Sequence, residues 1–278
     1  MAVNYTTKYE SKIAERFKLG SLTNAGAGNE YSFVGAKTIK VYSVDTVALN
    51  DFNRTAGSNR FGAVANLGDT VQEMTCSQDK GFTFAIDAGD NSDQAIDKAA
   101  GKALRREIDE VILPTVDKYR LAKWAEGAGT KYKTGSTTKL SKTNILSAIV
   151  SCGGEMSNAL VPEEGRVLYI PTRNYIHLVQ ADAVLNLEKT GTAAIEKGVM
   201  GMVDGCKVVR VPDGWFPEGI EFIIKHKGCT VDPIKLQNYD VLPKVQGFDG
   251  PVVQGRIYFD SFVLDAKKAG VATCVVSA

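Results

Sequence analysis

Histidine is nearly absent from these 278 residues: there are two, His177 and His226, and neither stands at a telling distance from a nucleophile or a metal ligand. His177 lies among Ile176, Leu178 and Val179 on an expected helix, and His226 lies between lysines at an expected strand end. Both read as structural or surface residues. Cysteine is sparse and unpaired: Cys76, Cys152, Cys206, Cys229 and Cys274 are five widely spaced residues. That pattern excludes a zinc signature and a disulfide framework, and leaves small buried hydrophobes in a reducing compartment. No apolar run reaches the ~18 residues needed to span a bilayer, and the first twenty residues carry alternating charges instead of a secretory leader. Net charge is +1, so no global field points to nucleic acid or a membrane surface. Gly26-Ala-Gly28 lacks the third glycine and the preceding strand of a dinucleotide fingerprint, GAGTKYKTGST lacks the spacing of a phosphate loop, and GxSxG and HExxH are missing. Asp109-Glu110 and Glu163-Glu164 are acidic pairs whose neighbours point apart on a helix. No catalytic constellation, cofactor site or metal site emerges, which argues against an enzyme.

What is present is a folding composition, 44% hydrophobic and 23% charged, arranged around one long helical stretch from Asn91 to Gly127. Ile96, Ala100, Leu104, Ile108, Val111 and Ile112 recur at spacings of three and four and predict a single apolar face. Asn91 with Gln94 reads as a capping start and Gly127 as a stop, while Pro114 predicts a kink near Val111. Arg105/Asp109 and Arg106/Glu110 are four apart on the polar side. Trp124, Trp215 and Phe216 read as packing or interface anchors.

Before this helix, residues 1–35 have the composition of an arm: loop chemistry in SLTNAGAGNEY, at most one short helix around Ser11–Lys18, and a need for something else to order them, most economically a neighbouring subunit. KTIKVYSV (37–44) and TVQEMTCSQDKGFTFAID (70–87) are β-rich and flank about 25 residues of mixed character, which predicts a long two-stranded projection that must lie on another copy. After the helix, residues 128–139 read as a polar boundary. An α/β unit follows, with a helix carrying Ile145, Ile149, Cys152 and Met156, a buried strand at 166–170, a helix at 172–179, and strands at 207–211 and 221–226. Two strands, 252–265 and 270–278, close the chain around Ala266-Lys267-Lys268.

In this order of parts the sequence resembles the major capsid proteins of tailed bacteriophages, the Hong Kong 97 fold. The likeness is closest in LGDTVQEMTCSQDKGFTFAIDAGDNSDQ (67–94) running into GKALRREIDEVILPTVD (101–117). It is strong again in VPEEGRVLYIP (161–171), MVDGCKVVRVPDGWFPEGIEFIIKH (202–226) and VVQGRIYFDSFVLDAKKAG (252–270). It covers nearly the whole chain. The resemblance implies an α+β capsid fold: N-terminal arm (1–35), extended E-loop (36–88), P domain with its spine helix (89–137), axial A domain (138–245) and return strands to the P domain (246–278). It implies pentamers and hexamers of an icosahedral head around non-specifically packaged double-stranded DNA, with a portal, assembled in the bacterial cytoplasm, and no membrane partner or cofactor. Without the founding member's long helical extension, a separate scaffolding protein is implied. The loop tip from Asp45 to Asp69 contains no lysine for an isopeptide crosslink, and Lys37 and Lys40 lie only at its base. An encapsulin-like cargo compartment is the alternative use of the same fold, though those chains tend to begin with a helix. On the tip, Arg54 and Arg60 are candidates to meet carboxylates across a subunit interface, with Asp109, Glu110 and Asp117 of the spine helix as partners.

Overall fold

The computed structural model describes residues 20–28, 38–55, 57–64, 66–87, 100–134, 139–181, 195–196, 199–243 and 245–276. The expected short helix at 11–18 and the helix start at 91–96 lie outside them. In chain order the elements are strands β1 (Thr38–Val44), β2 (Asp69–Thr75) and β3 (Gln78–Ala85), then helices α1 (Ala100–Glu107) and α2 (Leu113–Glu126). They continue through β4 (Thr130–Thr134), α3 (Ile145–Asn158), β5 (Arg166–Pro171), α4 (Thr172–Val179), β6 (Ile195–Glu196), β7 (Val199–Met200), β8 (Met202–Val203) and β9 (Cys206–Val211). The last are β10 (Ile220–His226), β11 (Thr230–Val231), β12 (Ile234–Leu242), β13 (Val252–Phe259), β14 (Phe262–Val263) and β15 (Val271–Val276).

A six-stranded mixed sheet, ordered β4-β15-β10-β5-β9-β8, is the centre of the molecule. Its inner strands are apolar on both faces, and alternation sorts their side chains. Leu168, Ile170, Phe222, Ile224, Ala272 and Cys274 pack on one side with Ile145, Ile149, Cys152 and Met156 of α3. Val167, Tyr169, Ile223 and Val271 pack on the other side with Leu121 and Trp124 of α2. A second sheet, β12-β13-β3, places Ile257 and Phe259 against Ile112 and Val116. The long helix therefore bridges two sheets: its middle packs on the three-stranded one and its end on the six-stranded one.

The expected kink takes the form of a π turn over Ile108–Ile112, closed by the Leu113 N–H on the Ile108 carbonyl. Pro114 has no N–H for the Glu110 carbonyl, and a widened turn just ahead of it accommodates the ring. The extra residue also rotates the helix. Ala100, Leu104 and Ile108 are half-buried and Val111 is exposed, so of the described part of the expected face Ile112 alone is buried. Beyond the turn, Val116, Asp117, Arg120, Leu121, Trp124 and Ala125 are the buried residues. Gly127 ends the helix as expected, donating to Lys123 O at 3.0 Å. Its φ of −83° is ordinary, and a Cβ there would lie 2.6 Å from Val263 Cγ2, so close approach is what requires glycine.

Four expectations are corrected. Residues 70–87 are two strands, broken at Cys76-Ser77 and sent to different sheets: β2 pairs with β1, and β3 pairs with β13. The stretch 252–265 likewise splits at Asp260-Ser261 into β13 and β14. The polar boundary at 128–139 contains an edge strand, β4, parallel to β15, with Tyr132 turned to the core. The strand Ile234–Leu242 was not expected; its apolar residues are diluted by Lys235, Asn238 and Asp240 because it pairs only with β13.

Candidate functional site

Two segments extend from this body. The first is the β1–β2 ribbon, antiparallel and in register from Thr38↔Thr75 to Val44↔Asp69. Its base is packed: Met74 and Cys76 are buried with Val231 and Leu264, and Ile39 and Val41 lean on them. Gln72 clasps the base, donating from its amide to Val263 O at 2.9 Å and accepting from Asp265 N at 3.0 Å. Farther out the side chains face solvent. Nine large apolar residues between Tyr42 and Val71 are exposed, among them Leu49, Phe61 and Val64, which have almost no cover. The tip nonetheless has local order. Phe52 and Phe61 meet edge to face at 5.0 Å, Asn53 N donates to Arg60 O at 3.0 Å, and Asn53 Oδ1 accepts from Thr55 N at 3.0 Å. This much uncovered apolar area on a structured surface makes the ribbon a candidate interface.

Arg54 and Arg60 are both exposed on this tip. Asp109 and Glu110 lie half-buried in the π turn, where Glu110 receives Arg106 Nε at 3.0 Å; this is the second of the two expected helical pairs. Asp117 is in a different situation. It is buried, and its oxygens accept from Ser21 Oγ (2.8 Å), Leu22 N (2.7 Å) and Thr23 Oγ1 (2.6 Å) of its own chain. A neighbour's arginine could reach it only by displacing residues 21–23, so Asp117 leaves the set of interface carboxylates.

Those contacts introduce the second segment, the strap at residues 20–28. It was expected to be loop-like and ordered by a neighbouring subunit; it is clamped by its own chain. Arg120 donates to Thr23 Oγ1 (3.2 Å) and Asn24 Oδ1 (3.0 Å), and Tyr169 donates to Thr23 O (3.1 Å). Lys225 Nζ donates to Gly26 O, and Gly28 donates its N–H to Asp232 Oδ2 at 2.9 Å while its carbonyl accepts from Asp232 N at 3.0 Å. Lys225 and Asp232, both essentially inaccessible, form an ion pair at 3.5 Å, and the ammonium lies 3.9 Å from the centre of the Trp124 ring. Thr230 Oγ1 also donates to Asp232 Oδ2, at 2.7 Å, while Trp124 Nε1 (2.9 Å) and Ser261 Oγ both donate to Oδ1.

Burial works against ionisation of Asp232, but Lys225, Arg120, Ser261 and Gly28 outweigh it and hold the carboxyl below its usual range. Burial also lowers the Lys225 ammonium, and Asp232 opposes that shift. Burial raises the Tyr169 phenol, which stays a donor. The network gathers two basic side chains, Lys225 and Arg120, and two acidic ones, Asp117 and Asp232. Next to it, Asp260 accepts from Ser77 N (2.7 Å) and Oγ (2.9 Å) at the ribbon base, from Tyr119 OH (2.8 Å) on α2, and from Ser261 N (2.8 Å).

A sequence signal for this network existed. Lys225 follows Ile223 on the spine-facing side of β10, and Asp117 and Arg120 share a helix face with Leu121 and Trp124. Charges placed on an apolar face require partners. Of the histidines, Nδ1 of His226 accepts from Gly228 N at 3.1 Å, and His177 is half-buried on α4. Among the described residues no group of three or more His, Cys, Asp or Glu side chains could hold a metal ion. All five cysteines are buried and none is in a disulfide, and burial pushes the thiols of Cys152 and Cys274 up to about 12 and those of Cys206 and Cys229 up to about 11.

No family model and no curated protein matches the chain by sequence. Solved structures do match by shape. The capsid structure of cyanophage P-SCSP1u aligns with a TM-score of 0.81 at 14% identity, covering 98% of this chain and 93% of that one. A structure from Mycobacterium phage Che8 aligns at 0.80 and 15% identity over 97% and 96%, and the mature capsid of bacteriophage PhiM1 at 0.78 and 10% over 98% and 92%. The fold of this chain is that of these phage capsid structures, of the Hong Kong 97 type.

Proposed function

We propose that this chain is the major capsid protein of a tailed phage or prophage, a structural protein that self-assembles into pentamers and hexamers of an icosahedral head enclosing double-stranded DNA. The ribbon carries the proposal: it spends its length exposing apolar side chains that its own subunit leaves uncovered. Each such side chain buried on a neighbour contributes ~1.5–3 kcal/mol. In this reading residues 36–88 are the E-loop, 89–137 with the long helix the P domain, 138–245 the A domain, and 246–278 the strands that return to the P domain. Arg54 and Arg60 reach Asp109 or Glu110 of an adjacent copy. A scaffolding protein and a portal complete the assembly pathway, and the product is the virion shell.

The test is assembly of the purified full chain, alone and with a scaffolding protein, followed by sedimentation and electron microscopy. Closed shells or capsomer-sized oligomers are expected; a monomer at every concentration under both conditions rejects the proposal. Nuclease digestion and mass analysis of particles made in cells then separates a genome container from a cargo compartment.

A further inference from the structure

The strap and its slot have the chemistry of a ligand and a binding site. We propose that the slot between α2, β5, β10 and the 229–232 turn is a sequence-reading peptide site, that residues 20–28 are its ligand, and that the strap docks and leaves as a unit while the body stays folded. This inference holds whether or not the chain builds a shell.

Two observations support it. The first is the density and directionality of polar contacts. Asp117 reads a hydroxyl, an N–H and a second hydroxyl in succession, while Arg120 and Tyr169 read Thr23, and Lys225 and Asp232 read the backbone at Gly26 and Gly28. Peptide sites are built this way, with buried charged groups aimed at main-chain atoms and one or two side-chain pockets. The apolar part is small, Leu22 and Ala25 against the spine-side core, so little hydrophobic burial ties the strap to the global fold.

The second observation is steric selection. A Cβ at Gly26 would lie 2.5 Å from Tyr169 Oη, and one at Gly28 would lie 1.8 Å from the Thr230 carbonyl oxygen. Backbone cannot yield as a side-chain end can, so the slot accepts glycine at 28 and little else. Thr23 is fully buried, and its hydroxyl both donates to Asp117 and accepts from Arg120. The pattern read is Thr-x-x-Gly-x-Gly. The paired glycines that fail as a nucleotide fingerprint have their role here.

Two experiments test the proposal on the whole chain. First, a protease site is inserted between Gly28 and Thr38 and the folded protein is cut. A fluorescent peptide with the sequence of residues 18–30 is expected to exchange into the slot, and its Gly28→Ala version to bind at least ~100-fold more weakly. Equal binding of both peptides, or no binding to a cut body that is still folded, overturns the proposal.

Second, hydrogen exchange on the intact, uncut chain covers the case in which the cut body unfolds. The Leu22 and Gly28 amides are expected to exchange through an opening with little denaturant dependence, unlike the Ile223 and Ile224 amides of β10. Exchange of all four only through global unfolding makes the strap an ordinary part of the core and overturns the proposal.

Discussion

The strap and the ribbon leave the same body, and their compositions predict each other's behaviour. The strap is polar and glycine-rich, yet Thr23, Gly26 and Gly28 are buried. The ribbon carries valine, leucine and phenylalanine, yet Leu49 and Phe61 face solvent. The inversion has one physical cause. A buried backbone needs every N–H and C=O answered, and the strap meets a ready set of charged partners; uncovered apolar surface needs area, which a two-stranded ribbon cannot supply to itself. Polar composition therefore does not mean outside, and apolar composition does not mean inside, when the deciding partner lies far away in sequence or in another molecule.

The largest expected effect breaks the comparison from the ribbon side. Deleting Val47–Leu67 leaves Asp45 and Gly68, already joined by an N–H to carbonyl bond of 3.0 Å, to close a short hairpin. Circular dichroism and melting temperature of the subunit should be nearly unchanged while particle formation disappears. Normal assembly of the deleted chain would remove the ribbon from the interface.

Next comes the strap side. Asp232→Ala leaves the Lys225 ammonium buried with only the Gly26 carbonyl and no counter-charge, and takes the carboxylate acceptor from the donors of Trp124, Thr230, Ser261 and Gly28. It should cost about 3–5 kcal/mol in chemical denaturation. A loss under ~1 kcal/mol would mean that water replaces the carboxylate and that the clamp is weak.

A third measurement sets both segments against the body they share. Four thiols that ionise near 9.0 in the ordinary case are held at about 11 or about 12 in the fold. Raised acid groups favour the folded chain below the ordinary value, and that advantage is lost as pH rises through the folded values. Stability should therefore fall between pH 9 and 11, by up to ~1.4 kcal/mol per pH unit for each thiol. At pH 8 a thiol reagent should label none of the five cysteines until the chain unfolds. Rapid labelling of Cys152 or Cys274 would contradict the packing of the sheet.

The smallest effect sharpens the comparison at the ribbon tip. Arg54→Ala with Arg60→Ala should lower particle yield several-fold without altering the subunit's circular dichroism, since exposed charges contribute little within one subunit. Charge reversal at Asp109 or Glu110 should partly restore a charge-reversed arginine. Unchanged yield in the double variant would return both arginines to solvent.

Much of the body could be read from the sequence because its signals are local. The spacing of Ile145, Ile149, Cys152 and Met156 marks α3, and the unbroken apolar run 167–170 marks a strand buried on both faces. Pro114 marked the place where the long helix changes, but the expected face stops at Ile112, and a constant period cannot be carried across a π turn to the buried face of Val116, Arg120, Leu121 and Trp124. The strap was illegible for a different reason. Gly26 meets Lys225 across 199 positions and Gly28 meets Asp232 across 204, and nothing near either glycine announces such a partner. Asp117 reads as a candidate partner for an arginine across an interface because nothing near it in sequence shows that residues 21–23 cover it.

Asp260 and Ser261 are neighbours in the chain, and between them they hold both extensions: Asp260 grips Ser77 at the ribbon base, and Ser261 supports the carboxylate that grips the strap. The ribbon's strands run seven residues each, on the order of 23 Å, from a base tied to Asp260. The next residue's hydroxyl steadies the strap's clamp, so the roots of the two extensions share one turn of chain.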